Sequence, residues 1–255
     1  MRFANFVLSR YDRNSLVALC TLFVMYVGVF SRWSHLIDWT LGMDWLLAGI
    51  WSFMTLTLAW DVVPRRDVRL AGVAFVGGLV IEWWGTTTNL WHYYTAERPP
   101  AWILPAWPVA ALAIDRIARV LGEASPKVRW ERAWWVLPLF VAWMIDFSWH
   151  TGKVPSTRAV VLLMLGVLVT ARDRRADVLV FVAGSVLGVF LEYWGTSRHC
   201  WTYYTREIPP PIATVAHGFA SVAFSRGVVL LDAVAARFLH GGSSANATVE
   251  ATEAA

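Results

Sequence analysis

The chain has 255 residues, of which 57% are hydrophobic and only 16% charged, with 17 tryptophans and a mean hydropathy of +0.49. A soluble fold of this length has too few charges to cover that much apolar surface, so the composition excludes a water-soluble domain and points to a bilayer. The net charge of +4 suggests nucleic acid until it is located: nearly all of it lies in short loops, and no nucleic-acid partner is expected.

In chain order, Met1–Arg13 is polar and the first apolar run is long enough to span, so no cleavable signal peptide is expected. Apolar runs of spanning length fall at roughly 15–31, 45–63, 68–90, 101–121, 132–149, 156–171, 177–196 and 211–239. The small polar tail from Gly241 to Ala255 is expected to be disordered. The predicted fold class is therefore all-α, a polytopic membrane bundle of about eight transmembrane helices. Cys20 and Cys200 are far apart and outside any CxxC pairing, so neither a disulfide framework nor a thiolate metal site is expected.

Lysines and arginines set the orientation. With the N-terminus cytoplasmic, that side collects the clusters at Arg2, Arg10 and Arg13, at Arg65, Arg66 and Arg69, from Arg116 to Arg132, at Arg172, Arg174 and Arg175, and at Arg237. The other side holds only Arg32, Arg98, Lys153, Arg158, Arg198 and Arg206. Both termini are expected in the cytoplasm, in a multi-pass protein of the cell (inner) membrane. On this reading Arg116 and Arg119 serve as topology determinants, and Asp115 pairs locally with Arg119.

The most specific signal is self-similarity at an offset of 110 residues. EWWGTTTNLWHYYTAERPP at 82–100 matches EYWGTSRHCWTYYTREIPP at 192–210 in 11 of 19 positions, and Asp67 matches Asp177 upstream. Duplication explains this where chance does not. It divides the chain into four-helix repeats at 1–121 and 122–240, followed by the tail at 241–255. Four spans return the chain to its starting side, so the two units are expected to run parallel, about an axis along the membrane normal. Ala74, Gly78, Glu82 and Gly85 share one helical face, as do Gly184, Gly188, Glu192 and Gly195. Small residues admit close helix contact, which turns both glutamates toward the bundle interior.

Glu82 and Glu192 lie one to two turns inside the outer boundary, where a carboxylate must be protonated or paired. Each caps a loop or bonds a tyrosine hydroxyl, or the two form a pair across a shared cavity. The aromatics Trp84, Trp91, Tyr94, Trp107, Trp194, Trp201 and Tyr204 read as an interfacial belt or as substrate-binding walls. His217 falls where the first unit has Trp107, at about the depth of Glu192. A Glu192–His217 pair keeps that carboxyl ionised while Glu82 stays protonated, which makes Glu82, Glu192 and His217 the candidate catalytic residues. Asp146 and His150 share a face at i, i+4 and extend this polar cluster or form a metal arm. With no HExxH or HxxxH array, no metal and no cofactor are expected.

The stretches E-x-W-G-T-x-x-x-x-W-x-Y-Y-T followed by paired prolines, over 82–108 and 192–211, resemble the carotenoid hydratase and membrane lycopene cyclase group. The resemblance implies a multi-helix membrane enzyme in which Glu82 and Glu192 are the acidic residues that matter, with membrane lipid and an apolar isoprenoid or carotenoid as partners. A protonated carboxyl in an apolar pocket gives its proton to an alkene, aromatic faces stabilise the cation, and hydration or cyclisation follows. The alternatives are a transporter or carrier of a small or lipidic solute, to which parallel repeats around an acidic site are also suited, and a structural membrane protein.

Overall fold

A computed structural model describes residues 9–36 and 45–253, with side chains as far as Arg237; Arg2 of the first basic cluster and the last two residues of the tail lie outside the described residues. Eight α-helices follow in order: α1 (Arg13–Trp33), α2 (Trp45–Leu58), α3 (Pro64–Thr87), α4 (Ala106–Ala124), α5 (Val136–Phe147), α6 (Pro155–Val169), α7 (Arg174–Ser197) and α8 (Pro211–Glu253). Two three-residue strands interrupt them, β1 (Trp91–Tyr93) after α3 and β2 (Trp201–Tyr203) after α7.

Local chemistry sets the helix starts. Asp12 caps α1 by accepting from the Ser15 amide at 2.9 Å while the Ser15 hydroxyl accepts from the Asp12 amide, a reciprocal capping box. Asp173 accepts from the Ala176 amide at the start of α7. Proline opens α3 and α6, where a missing N–H costs nothing.

Four helices are long and apolar enough to cross a membrane: α1, α3, α7 and α8 as far as Arg237. Side chains such as Phe23, Val24, Leu162, Val169 and Leu230 stand 61–84% exposed or close to it, an arrangement that suits lipid and not water. Eight spans were expected, and the other four helices are shorter than their apolar runs. Apolar length and helical length separate here because the chain bends inside the runs. α2 stops at Leu58 before Asp61, whose φ of 53° is left-handed. The run at 132–149 is split between the twelve-residue α5 and flanking 3₁₀ turns at Trp130–Ala133 and Trp149–Thr151.

The small-residue faces are buried as expected: Ala74, Gly78, Glu82 and Gly85 on α3, and Gly184, Gly188, Glu192 and Gly195 on α7. α7 and α8 meet backbone to backbone, so that a Cβ on Gly184 would stand 2.7 Å from the Gly218 Cα.

At the end of α3 and α7 remote from the strands lies a second repeated contact. Arg116 of α4 forks onto both oxygens of Asp67, and Arg226 of α8 onto Asp177, each pair 49 residues apart. Arg116 is therefore more than a topology determinant. It is 2% exposed, and it also donates to the Trp60 carbonyl at 3.0 Å and to Asp115 at 3.1 Å. Asp115 pairs with Arg119 at 3.2 Å, as the i, i+4 spacing predicts, and with Arg66 at 2.5 Å.

Candidate functional site

The motif loops are built alike. Asn89 and His199, 110 residues apart, take left-handed φ values of 59° and 55°, and the next amides, Leu90 and Cys200, reach back to the Gly85 and Gly195 carbonyls. This Schellman-type end turns the chain sharply off the helix. The strands that follow pair antiparallel with Trp91 opposite Tyr203, His92 opposite Thr202 and Tyr93 opposite Trp201. Matching positions thus meet crosswise about His92–Thr202, the pattern a two-fold axis produces. Both α3 and α7 run toward this ribbon, so both glutamates lie at the same end of the bundle.

Strand alternation aims Trp91 and Tyr93 to one side and Tyr94 to the other. On the inner side, Glu82 Oε2 accepts from Trp91 Nε1 at 3.0 Å and from the Tyr93 hydroxyl at 2.9 Å, and Oε1 accepts from Trp107 Nε1 at 3.1 Å. Glu192 repeats the arrangement: Oε2 accepts from Trp201 Nε1 at 2.9 Å and the Tyr203 hydroxyl at 3.0 Å, and Oε1 lies 3.0 Å from His217 Nε2. The carboxyls are 4% and 5% exposed. Burial above all, then the adjacent carboxylates, raise the Tyr93 and Tyr203 phenols well above the ordinary tyrosine range, so both remain protonated donors.

The glycine of E-x-W-G-T has a specific task. A Cβ on Gly85 would stand 1.9 Å from Trp91 Cη2, and one on Gly195 2.0 Å from Trp201 Cη2. Each indole lies directly on bare helix backbone, and only there does its Nε1 reach the glutamate. The threonine bonds the same residue from behind, Thr86 to the Glu82 carbonyl and Thr196 to that of Glu192, both at 2.6 Å. Gly85→Ala is expected to displace Trp91 and cost roughly 1–3 kcal/mol by overpacking. Thermal unfolding in detergent checks this, and an unshifted transition would refute the account.

The two sites differ at one position. Trp107 and His217 stack at 5.7 Å between ring centroids, 19° from parallel, between the carboxyls. An indole N–H can only donate, whereas an imidazole nitrogen donates or accepts. A proton on Glu82 therefore has no acceptor in Trp107, while Glu192 can pass its proton to His217.

Both glutamates face one cavity of about 1160 Å³, lined along α3, α4, α6 and α8 almost wholly by apolar and aromatic side chains. Of the expected binding aromatics, Trp84, Trp91, Trp107 and Trp201 line it. Trp194, Tyr94 and Tyr204 do not. Trp194 packs edge-on to Trp201 at 6.3 Å, and Tyr94 lies against Trp102 beside a separate small pocket. Tyr204 donates to the Phe147 carbonyl at 2.7 Å, with its ring 4.3 Å from His150. Asp146 and His150 lie outside the cavity, and no cluster of three or more potential metal-ligating side chains is found among the described residues. Tyr93, Tyr203 and Trp102 are site residues the sequence reading passed over. The signal was there in W-x-Y, whose period of two marks one face of a strand.

Comparison with protein-family models, with curated proteins and with solved structures finds no match to this chain.

Proposed function

We propose that the chain is a lipid-embedded enzyme that protonates an alkene of an isoprenoid-like substrate, with Glu82 as proton donor and the Glu192–His217 pair as acceptor. The observation that carries this reading is that both carboxyls open onto a single apolar, aromatic-lined cavity. Glu82 would give its proton to one alkene carbon, forming a C–H bond and leaving the cation on the other. The indole and phenol faces of Trp84, Trp91, Trp201 and Tyr203 supply cation–π attraction. Water adding to the cation gives an alcohol, and loss of a neighbouring proton after ring closure gives a cyclised isomer. In either case the departing proton goes to Glu192–His217, and its return to Glu82 closes the cycle.

The reading includes two parallel units of common origin in a cell membrane. The matched loops, crosswise strands and paired Asp–Arg contacts support it. The excess of basic residues at the Arg116–Arg226 end favours placing that end, with both termini, in the cytoplasm. Lipid extracts from a host supplied with polyprenyl and carotenoid precursors, compared by mass spectrometry with and without the protein, test the chemistry. A product heavier by one water, or an isomer of unchanged mass, is the expected result. No new product from well-expressed protein would overturn the enzyme reading in favour of a carrier.

A further inference from the structure

The cavity does not end at the glutamates. It follows α8 from Ile212 to Leu231, nineteen residue steps or roughly 28 Å of helix, close to the hydrocarbon thickness of a bilayer. At the far end its walls include Arg69, Thr170, Arg172 and Arg226, and between the two ends they are apolar, with Val73, Val80, Met164, Val167 and Phe224 among them.

The two halves treat that end differently. In the first half the buried arginine is surrounded by acceptors: Arg116 uses Asp67, Asp115 and the Trp60 carbonyl, and Asp61 holds Arg119 at 2.5 Å. The positions 110 residues on from Asp61, Asp115 and Trp60 are Ala171, Ser225 and Thr170. The second half has thus lost two carboxylates, and the cavity reaches Thr170 where Trp60 stands in the first. Arg226 keeps Asp177, but its Nε–H is buried without an acceptor. Arg172 is exposed at the cavity wall and makes no ion pair or hydrogen bond among the described residues. The remaining cation there, Arg69, is held by Asp232 at 2.5 Å.

We infer that the anion missing from the second half is supplied by the ligand, and that the cavity takes a single-chain prenyl amphiphile with a phosphate-class head on Arg172 and Arg226 and its chain reaching toward Glu82. This rests on the cavity being the substrate chamber and adds a polar anchor to it. Three acceptor oxygens suit two guanidinium groups with donors to spare, and desolvated arginine–phosphate contacts are among the stronger hydrogen bonds. The anchor also sets the depth at which an alkene meets the carboxyls.

The test is binding of geranylgeranyl monophosphate and of geranylgeraniol to the full chain in neutral detergent, read by calorimetry. The monophosphate is expected to bind at least about tenfold more tightly. Arg172→Gln should remove most of that preference and Arg172→Glu all of it, while affinity for the alcohol stays unchanged. Equal affinities in the unaltered protein, a preference that survives both substitutions, or binding of neither probe would overturn the inference. The assay reads the head group alone, so its failure is distinct from failure to find an alkene product.

Discussion

Replacing Arg116 with methionine is expected to destabilise the protein by about 3–5 kcal/mol, the cost of leaving a buried carboxylate without its partner. The side chain is 1% exposed and serves Asp67 and Asp115 together, so its loss strands two charges and frees the Trp60 carbonyl. Arg226→Met should cost less, because it strands Asp177 alone and that carboxylate keeps a bond from Trp134 Nε1 at 3.2 Å. Thermal unfolding of the two variants in one detergent ranks them. Equal losses would mean that the extra contacts of Arg116 add nothing.

Glu82→Gln is expected to lower product formation by at least about a hundredfold, the scale of removing a positioned general acid. The amide keeps the shape of the carboxyl but has no proton to give an alkene. Its carbonyl can still accept from Trp91 and Tyr93, and unchanged tryptophan emission would establish that the ribbon remains closed. Turnover of a supplied precursor, measured at matched protein levels, decides the matter. A variant within a few fold of the unaltered chain would end the role assigned to Glu82.

Much of this arrangement was legible in the sequence because duplication wrote it twice. The shared offset placed Glu82 with Glu192 and Trp91 with Trp201, and helical spacing put the glutamates on the glycine-bearing faces. The Glu192–His217 contact at 3.0 Å was also within reach, since position and depth alone bring the two together. What stayed hidden were contacts that no local spacing encodes. Trp84 donates to Thr157 of α6 at 3.0 Å, across the two halves, and Trp107 stacks on His217. Arg116 read as a loop cation because its burial depends on Asp67, forty-nine residues earlier. Hydropathy counted eight spans because it registers apolar length and is blind to the turns that shorten α2 and α5. The three-residue strands were too brief to stand out from the aromatic cluster around them.

The stacked rings of Trp107 and His217 carry a consequence for how such a protein can evolve. Two separate, identical subunits meeting at the same ribbon would have to carry the same residue at both places, so any gain at one carboxyl would be imposed on the other. Joining the halves in a single polypeptide removes that obligation. One site can keep a ring that only donates while its counterpart acquires one that also accepts, and the pair divides labour that a homodimer is forced to share.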